Sequence, residues 1–348
     1  MATRSRGKTT KPQDAEAAAA PAMDTILTPP PQTVADDVRR MSEHLEMLPT
    51  RQLGRNLLVG TWNIREFGDI SDKWQTKPAD RPIRDVHATR LIAEIVSRFD
   101  VIALQEVLGN LKGLRHVLKW LGDEWSFILT DATRGSEGGG ERMAFLFDTR
   151  RVRLSGLAGE LVVPPEELEK ARASKDPDAL RGQFARTPYA VAFRSYGITF
   201  VLIAVHVLYG KKAEERRPEI LAVARWLKSM SEDLHGYGQN LIVLGDFNID
   251  RKGDSNFEAL VSTGLGTPPE LDSVARTISA EGEAGTFYDQ IAWFQDDLST
   301  LRYTGRAGRV NFKAADVLGG VEEDQYSFRL SDHYPIWTEF AVSDLSPR

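Results

Sequence analysis

The sequence predicts a layered α/β fold in which strands pack between helices. Short apolar runs bounded by Gly, Pro, Asp or Asn recur along most of the chain, as is typical of buried strands. Fewer segments show the three-and-four spacing of apolar residues that marks an amphipathic helix, and no internal repeat is evident. Many strands mixed with a few helices favour a sandwich of layers over a regular alternation of strand and helix.

The apolar runs place the predicted elements in order along the chain. Strands are predicted at 57–63, 101–106, 142–147, 189–194, 198–206, 241–246, 288–293 and 336–340. Helices are predicted at 34–48, 88–99, 111–121, 165–174 and 213–234. The segments 69–86 and 264–285 are predicted to be long loops, and loops of that length are usually functional or mobile.

Composition limits the class of protein. The 348 residues are 41% hydrophobic and 27% charged, which is the balance of a globular chain. The formal net charge of -6 gives no overall positive field for nucleic acid, so any contact with a polyanion must be local. The chain has no cysteine, which excludes disulfides, a thiolate nucleophile and cysteine-ligated zinc.

The N-terminal segment differs from the rest of the chain. It is rich in Ala, Pro, Thr and Lys and lacks apolar periodicity, so we expect residues 1–50 to be a disordered or weakly ordered tail and residues 51–348 to form the folded domain. No apolar stretch resembles the core of a signal peptide or a membrane span. We therefore expect a cytoplasmic protein without stable membrane association.

Polar residues follow several of the predicted strands at the point where each strand ends. They are Asn63, Glu106, His206, Asp246 and Asn248. Asp289 opens the strand predicted at 288–293, and the group Ser331-Asp332-His333 precedes the last strand. Any one of them is an ordinary turn residue. Together they offer hard oxygen ligands and two histidines, and such oxygen ligands suit Mg²⁺. The set indicates chemistry on phosphate esters.

Five short strings in this order resemble the endonuclease/exonuclease/phosphatase superfamily. They are Trp-Asn-Ile-Arg-Glu-Phe-Gly at 62–68, Leu-Gln-Glu-Val at 104–107, Gly-Asp-Phe-Asn at 245–248, Tyr-Asp-Gln-Ile at 288–291 and Ser-Asp-His-Tyr-Pro at 331–335. The first string is most similar to the deoxyribonuclease I branch. The resemblance covers about residues 57–340, so the domain 51–348 is expected to be the catalytic domain of this superfamily.

The resemblance implies a four-layer α/β sandwich, with two packed mixed β-sheets flanked by helices, and a Mg²⁺ site for which Mn²⁺ would substitute. It implies metal ligands at Glu106, Asn63 and Asp332. The catalytic residues it implies are His333 with Asp289, His206 with Glu141, and Asp246 with Asn248, while Arg186 and Asn248 bind the substrate phosphate. Which histidine is the acid and which the base stays open.

Two departures from the deoxyribonuclease pattern bear on the substrate. Leu108 stands where an arginine would enter the DNA minor groove, and Gly138-Gly139-Gly140 replaces a stretch that holds a groove-stacking tyrosine. The leading hypothesis is a divalent-metal-dependent phosphodiesterase, a nuclease that hydrolyses DNA or RNA by in-line attack of water. Candidate substrate contacts are Arg65, Arg81, Arg84, Arg134, Arg142 and Arg186.

Two alternatives remain at this point. One is a small-molecule or lipid phosphohydrolase, sphingomyelinase-like or inositol-phosphate-phosphatase-like, on the same fold. The other is a catalytically silent scaffold. Nucleic acid is the expected partner, as substrate, and no protein partner can be deduced from the sequence.

Overall fold

Two six-stranded mixed sheets form the centre of the molecule. The computed structural model describes residues 28–132, 139–232, 240–280, 286–295, 298–313 and 323–342. The first sheet contains β1 (Asn56–Phe67), β2 (Val101–Val107), β3 (Trp125–Leu129), β4 (Arg142–Asp148), β11 (Arg302–Arg309) and β12 (Ile336–Ala341), in the spatial order β11-β12-β1-β2-β4-β3. The second contains β5 (Arg153–Glu160), β6 (Tyr189–Ser195), β7 (Ile198–His206), β8 (Leu241–Asp246), β9 (Leu265–Gly266) and β10 (Asp289–Phe294), in the order β5-β6-β7-β8-β10-β9.

Each sheet has one parallel pair of strands at its centre, and its other pairs are antiparallel. The parallel pairs are β1 with β2 and β7 with β8. Towards their carboxyl ends, these strands carry the predicted site residues Asn63, Glu106, His206 and Asp246.

Helices cover the outer faces of both sheets. They are α1 (Gln32–His44), α2 (Val86–Val96), α3 (Lys112–Leu121), α4 (Pro165–Ala173), α5 (Arg217–Ser231), α6 (Ser255–Val261) and α7 (Glu323–Arg329). The apolar faces of α1, α2 and α3 pack on the first sheet, and those of α5 and α6 pack on the second. The four-layer sandwich predicted from the sequence is confirmed.

The core lies in three layers because the central strands bury both of their faces. Along β1, Leu57 and Val59 point between the sheets, whereas Leu58 and Trp62 point towards the helices. Strands buried on both faces have nearly continuous apolar sequences, which is why these runs were conspicuous.

The strands that the sequence did not predict are β3, β5, β9 and β11, which are the edges of the two sheets. Along β5, side chains alternate between exposed and half-buried, so no apolar run marks this strand. β11 reads Arg-Tyr-Thr-Gly-Arg-Ala-Gly-Arg and is similarly polar. An edge strand packs less of its surface, so main-chain pairing can maintain it with little apolar signal.

The helices differ from the predictions in smaller ways. α6 and α7 were not predicted, and the predicted helix 213–234 is a 3-10 turn at Ala213–Glu215 followed by α5. Positions 233 and 234 lie outside the described residues. No helix in the described part of the chain is long and apolar enough to cross a bilayer.

The packed chain begins before the predicted boundary at residue 50. Val34, Met41 and Leu45 are buried, and His87 Nε2 lies 3.2 Å from Asp37 Oδ2. α1 therefore packs on the core, although it falls within the predicted tail, because its apolar stripe faces α2. Residues 1–27 of that tail lie outside the described residues.

Candidate active site

The ends of the parallel strands bring polar side chains from both sheets together. In the second sheet, His206 of β7 pairs in register with Asp246 of β8, which in turn pairs with Asp289 of β10. In the first sheet, Asn63 of β1 lies beside the end of β2, which carries Glu106. Because the sheets pack face to face, both groups share one edge of the sandwich.

Asn63 joins the two sheets at this edge. Its Nδ2 donates to Glu106 Oε1 at 2.9 Å and to Asp246 Oδ2 at 3.0 Å. The other carboxylate oxygen of Glu106 accepts a hydrogen bond from the main-chain N–H of Glu66 at 2.9 Å. Both oxygens of Glu106 are therefore held in fixed directions.

The backbone here is strained in a way that marks a functional site. Positive φ angles occur at the non-glycine residues Arg65 (49°), Glu66 (42°), Glu106 (62°) and Asn248 (51°). The pairing of β1 with β2 also shifts register between Asn63 and Phe67. Non-glycine residues adopt this conformation at a cost, and such residues cluster at active sites.

His333 and Asp289 form a buried pair at the same edge. His333 Nδ1 lies 2.7 Å from Asp289 Oδ2. Burial raises the pKa of Asp289 to about 6, in spite of the positive charge of His333. Burial alone would lower the pKa of His333, but Asp289, Asp246 and Asp332 outweigh it and raise that pKa to about 10. Each member of the pair thus favours the charged form of the other.

The position of His333 is fixed by further residues, to which the sequence analysis assigned no role. Its main-chain N–H donates to Ser331 Oγ at 3.0 Å, and Ser331 Oγ donates to the carbonyl of Asn63 at 2.6 Å. Trp62 Nε1 donates to the carbonyl of His333 at 2.9 Å. The ring of Tyr288 stacks on the imidazole, with centroids 5.9 Å apart. The only sequence signal for Ser331 and Tyr288 is that they lie inside two of the five strings that resemble the superfamily.

His206 and Glu141 form the second predicted pair, and Arg186 joins them. His206 Nδ1 lies 3.2 Å from Glu141 Oε2, and Arg186 Nε donates to the same oxygen at 2.6 Å. Burial opposes ionisation of Glu141, but His206 and Arg186 outweigh it and lower the pKa of this carboxyl to about 2. On its other side, His206 Nε2 lies 3.8 Å from Asp246 Oδ2. Glu141 is thus connected through His206 to Asp246, and from there to Asn63.

Two residues that were predicted to bind substrate or metal contact other groups of the protein in this structure. Asn248 Nδ2 donates to the carbonyl of Val207 at 2.7 Å, so its amide supports the strand that carries His206. Asp332 Oδ2 lies 3.2 Å from Arg65 Nη1 and belongs to a half-exposed side chain. The structure therefore joins Asn63 to Glu106 by a hydrogen bond and pairs Asp332 with Arg65.

The donor set fits a hard divalent cation. Ligand atoms of Asp246, Asp289 and His333 lie within 4.8 Å of one another, and Asn63 connects this cluster to Glu106. Carboxylate and amide oxygens suit Mg²⁺ or Mn²⁺. Because His333 and Asp289 bind each other, Asp246 and Glu106 are the carboxylates that could hold a metal without breaking that pair. Asn63 could join them only through its amide oxygen, which here accepts a hydrogen bond from the main-chain N–H of Arg65.

One of the arginines expected to contact substrate is placed elsewhere. Arg84 is buried and donates only to main-chain carbonyls, so the expectation that it contacts substrate is wrong. Arg65 and Arg186 do lie at the site, paired with Asp332 and Glu141. Arg134 and Gly138 lie outside the described residues.

The fold and the site define a class of protein. Two mixed sheets packed face to face, with acidic, amide and histidine side chains at one edge, form the fold of endonuclease/exonuclease/phosphatase proteins. Solved structures of known proteins share this fold, which confirms the fold that the resemblance implied. An endonuclease/exonuclease/phosphatase family protein from Bacteroides thetaiotaomicron matches with a TM-score of 0.53 and 18% identity, over 84% of this chain and 99% of that one.

Two further solved structures show how varied the proteins with this fold are. A mannosyl-6-phosphatase from Bacteroides thetaiotaomicron matches with a TM-score of 0.52 and 18% identity, over 82% of this chain and 99% of that one. D. rerio TDP2 complexed with a single-strand DNA product matches with a TM-score of 0.52 and 14% identity, over 82% of this chain and 98% of that one. Identities this low establish the fold alone.

A comparison of sequences finds a relative of higher identity than these structures. A protein named Deoxyribonuclease from Thioalkalivibrio sp. (strain K90mix) is 28% identical over 309 residues, which cover 86% of this chain and 74% of the relative. No family model matches the sequence.

Proposed function

We propose that this protein is a divalent-metal-dependent phosphodiesterase that hydrolyses nucleic acid. The observation that carries the proposal is the buried His333–Asp289 pair at 2.7 Å, beside the hydrogen-bonded group of Asp246, Asn63 and Glu106. Similarity to a protein named Deoxyribonuclease supports a nucleic-acid substrate.

The side chains have distinct tasks in this reaction. A water molecule attacks phosphorus, a P–O bond to water forms, and the P–O ester bond on the opposite side breaks. Asp289 occupies Nδ1 of His333, so Nε2 is the nitrogen that exchanges a proton with the attacking or leaving oxygen. His206 is held by Glu141 and faces Asp246, so a second proton-transfer group lies at the same edge.

The charge that develops on phosphate is balanced from fixed positions. Glu106, Asn63 and Asp246 would hold the metal ion, Mg²⁺ or Mn²⁺, which supplies electrostatic stabilisation of the phosphate oxygens when bound. Arg186 and Asn248 are the proposed phosphate contacts. Asp332, which pairs with Arg65 in this structure, is a further proposed ligand of the metal.

A phosphohydrolase acting on a smaller ester is the second candidate. It is favoured by Leu108, which stands where an arginine would enter a DNA groove, and by the mannosyl-6-phosphatase that has the same fold. This candidate uses the same residues and differs only in the group attached to phosphate.

Cleavage assays with purified protein separate these candidates. The substrates are supercoiled plasmid, single-stranded DNA, RNA, bis-p-nitrophenyl phosphate as a small diester and p-nitrophenyl phosphate as a monoester, each with Mg²⁺ and with EDTA. We expect Mg²⁺-dependent cleavage of at least one nucleic acid. Turnover of the monoester alone would instead establish the second candidate.

Two variants control for contamination and for loss of fold. His333→Ala should abolish turnover, whereas His44→Gln, at the end of α1, should retain it. Nuclease activity that survives in His333→Ala, or in EDTA, would remove the residue or the metal from the mechanism.

A further inference from the structure

Arg84 lies behind the site rather than in it. It precedes Asp85, the N-cap of α2, at the end of a long irregular segment. The residue is only 5% exposed, yet none of the ion pairs among the described residues involves it. Arginine is rarely buried without an acidic partner, because taking its charge out of water is costly.

Main-chain carbonyls replace the missing acid. The guanidinium donates to the carbonyls of residues 64–66 at 2.9, 2.9 and 3.1 Å. It also donates to the carbonyls of residues 329 and 330 at 3.1 and 3.0 Å. Five carbonyl oxygens from two distant parts of the sequence therefore converge on one side chain, which lies 5.2 Å from the centre of the Phe67 ring.

The first of these segments fixes the carboxylate of Glu106. The main-chain N–H of Arg65 donates to Asn63 Oδ1 at 3.0 Å, and that of Glu66 donates to Glu106 Oε2. Both Arg65 and Glu66 have positive φ angles, so this stretch needs outside support to keep its conformation. Arg84 provides that support by bonding to the carbonyls on the same peptides.

The second segment leads into the catalytic histidine. The carbonyls of residues 329 and 330 immediately precede Ser331, whose hydroxyl joins the carbonyl of Asn63 to the main-chain N–H of His333. Arg84 thus contacts the main chain on both sides of the Ser331–Asn63 hydrogen bond.

We propose that Arg84 is a positioning residue that sets the spacing between the Asn63–Glu106 group and His333. It touches neither substrate nor metal and acts through the backbone of residues 64–66 and 329–330. This inference rests on the proposed phosphodiesterase function for its kinetic test, and on the hydrogen bonds alone for its structural one.

The chemistry of the guanidinium explains why an arginine stands here. Its N–H groups lie in one plane and can reach several acceptors at once, whereas a lysine offers three donors at a single point. Burial and the charge of Arg65 lower the pKa of Arg84 to about 10, against the opposing carboxylates led by Glu106. The group remains protonated at neutral pH and keeps all its donors.

The test compares Arg84→Lys with a matched buried arginine at the opposite end of the same strands. Arg151 is 8% exposed, pairs with Asp100 before β2 and donates to the carbonyl of Asn56 at the start of β1. With bis-p-nitrophenyl phosphate, we expect Arg84→Lys to lower kcat by roughly a hundredfold while KM changes little, because small displacements of reacting groups have effects of this size. Arg151→Lys should keep kcat near the wild-type value even where its Tm falls as far.

Hydrogen–deuterium exchange provides a second readout that does not depend on turnover. Amides of residues 63–67 and 329–334 should exchange faster in Arg84→Lys, with the rest of the core unchanged, whereas Arg151→Lys should change exchange near residues 56 and 100. If the wild type shows no metal-dependent turnover, the proposed function fails and exchange alone decides the role of Arg84.

The remaining outcomes overturn the inference. The inference is overturned if Arg84→Lys has a wild-type kcat, or if its kcat falls no more than that of Arg151→Lys at an equal loss of Tm. It is also overturned if hydrogen–deuterium exchange is unchanged at both segments. Arg84→Gln, which keeps a planar amide without the charge, serves as a second variant. If neither variant folds while Arg151→Lys does, Arg84 serves the fold as a whole and the positioning role is rejected.

Discussion

Replacing Asp289 by Asn tests the central pair of the site most directly. The substitution preserves shape but removes the negative charge 2.7 Å from His333 Nδ1. Asp289 is the largest of the influences that raise the pKa of His333 to about 10, and Asp246 and Asp332 remain in the variant. An opposite charge at this range typically shifts a pKa by about 1–3. We therefore expect the pKa of His333 to fall by about that amount.

The sign of the effect on stability follows from the same pair. The pKa of His333 is raised on folding, so its stabilising contribution is complete below its ordinary value of 6.5 and is lost as the pH rises through about 10. Burial raises the pKa of Asp289 to about 6, which by itself favours folding at low pH, where the carboxyl is neutral. In Asp289→Asn, the stabilising contribution of His333 should therefore be lost at a pH lower by about 1–3 than in the wild type, and the contribution of Asp289 near pH 6 should be absent.

Histidine NMR and kinetics measure the two consequences. His333→Gln assigns the His333 signal, whose titration midpoint is then compared in wild type and Asp289→Asn, and turnover of the variant should fall by about 10²–10⁴ if His333 moves the proton. Asp148→Asn, a buried carboxylate paired with Arg51 and Arg150, is the matched control and should leave the His333 midpoint in place. An unchanged midpoint in Asp289→Asn would refute the reasoning.

Three other predictions concern the metal, acid stability and the strand end. Glu106→Gln should lower Mg²⁺-dependent turnover by at least about a hundredfold with little loss of Tm, because Glu106 lies at an open edge. The measurement is enzyme activity against Mg²⁺ concentration. A variant whose activity depends on Mg²⁺ as the wild type's does would contradict the prediction. The pKa of Glu141 is lowered to about 2, so its stabilising contribution is present above its ordinary value of 4.5 and is lost as the pH falls through about 2. Urea unfolding should therefore show Glu141→Gln less stable than wild type at pH 7, with the difference shrinking towards pH 2; a constant difference would argue against the ion pairs. Gly245→Ala should destabilise the protein by about 3 kcal/mol or more, since the added Cβ would lie 2.0 Å from the carbonyl oxygen of Val205. In the control Gly159→Ala, the added Cβ meets nothing within 4 Å, and the loss of stability should be less than about 1 kcal/mol. Equal losses of stability in urea unfolding would reject the steric argument.

The sequence predicted the centre of the fold much better than its edges. Strands such as β7 and β8 are buried on both faces, so their apolar runs marked them closely, and β7 has the predicted bounds. β5 and β11 pack less of their surface and are held largely by pairing with one neighbour, which leaves little pattern in the sequence. Burial also explains why α1 belongs to the folded domain although it lies within the predicted tail: its apolar stripe is short, but it faces α2.

The candidate site was predictable where it follows strand ends. Asn63, Glu106, Asp246 and Asp289 end or begin buried strands, and the structure brings them to one edge, where their roles remain predictions. Arg84 could not be found this way, because its function depends on carbonyls from segments more than two hundred residues apart. A polar residue in a loop looks the same in sequence whether it contacts solvent, substrate or backbone.

The pairing of β1 with β12 has a consequence for synthesis. β12 lies between β1 and β11, and Asn56 pairs with Ala341, so one neighbour of β1 comes after all the other described strands in the sequence. His333 arrives only a few residues before it. A ribosome-bound chain that has not yet reached β12 therefore lacks one side of its first sheet. A chain that has not yet reached residue 333 also lacks the group that, in the proposed function, transfers the proton.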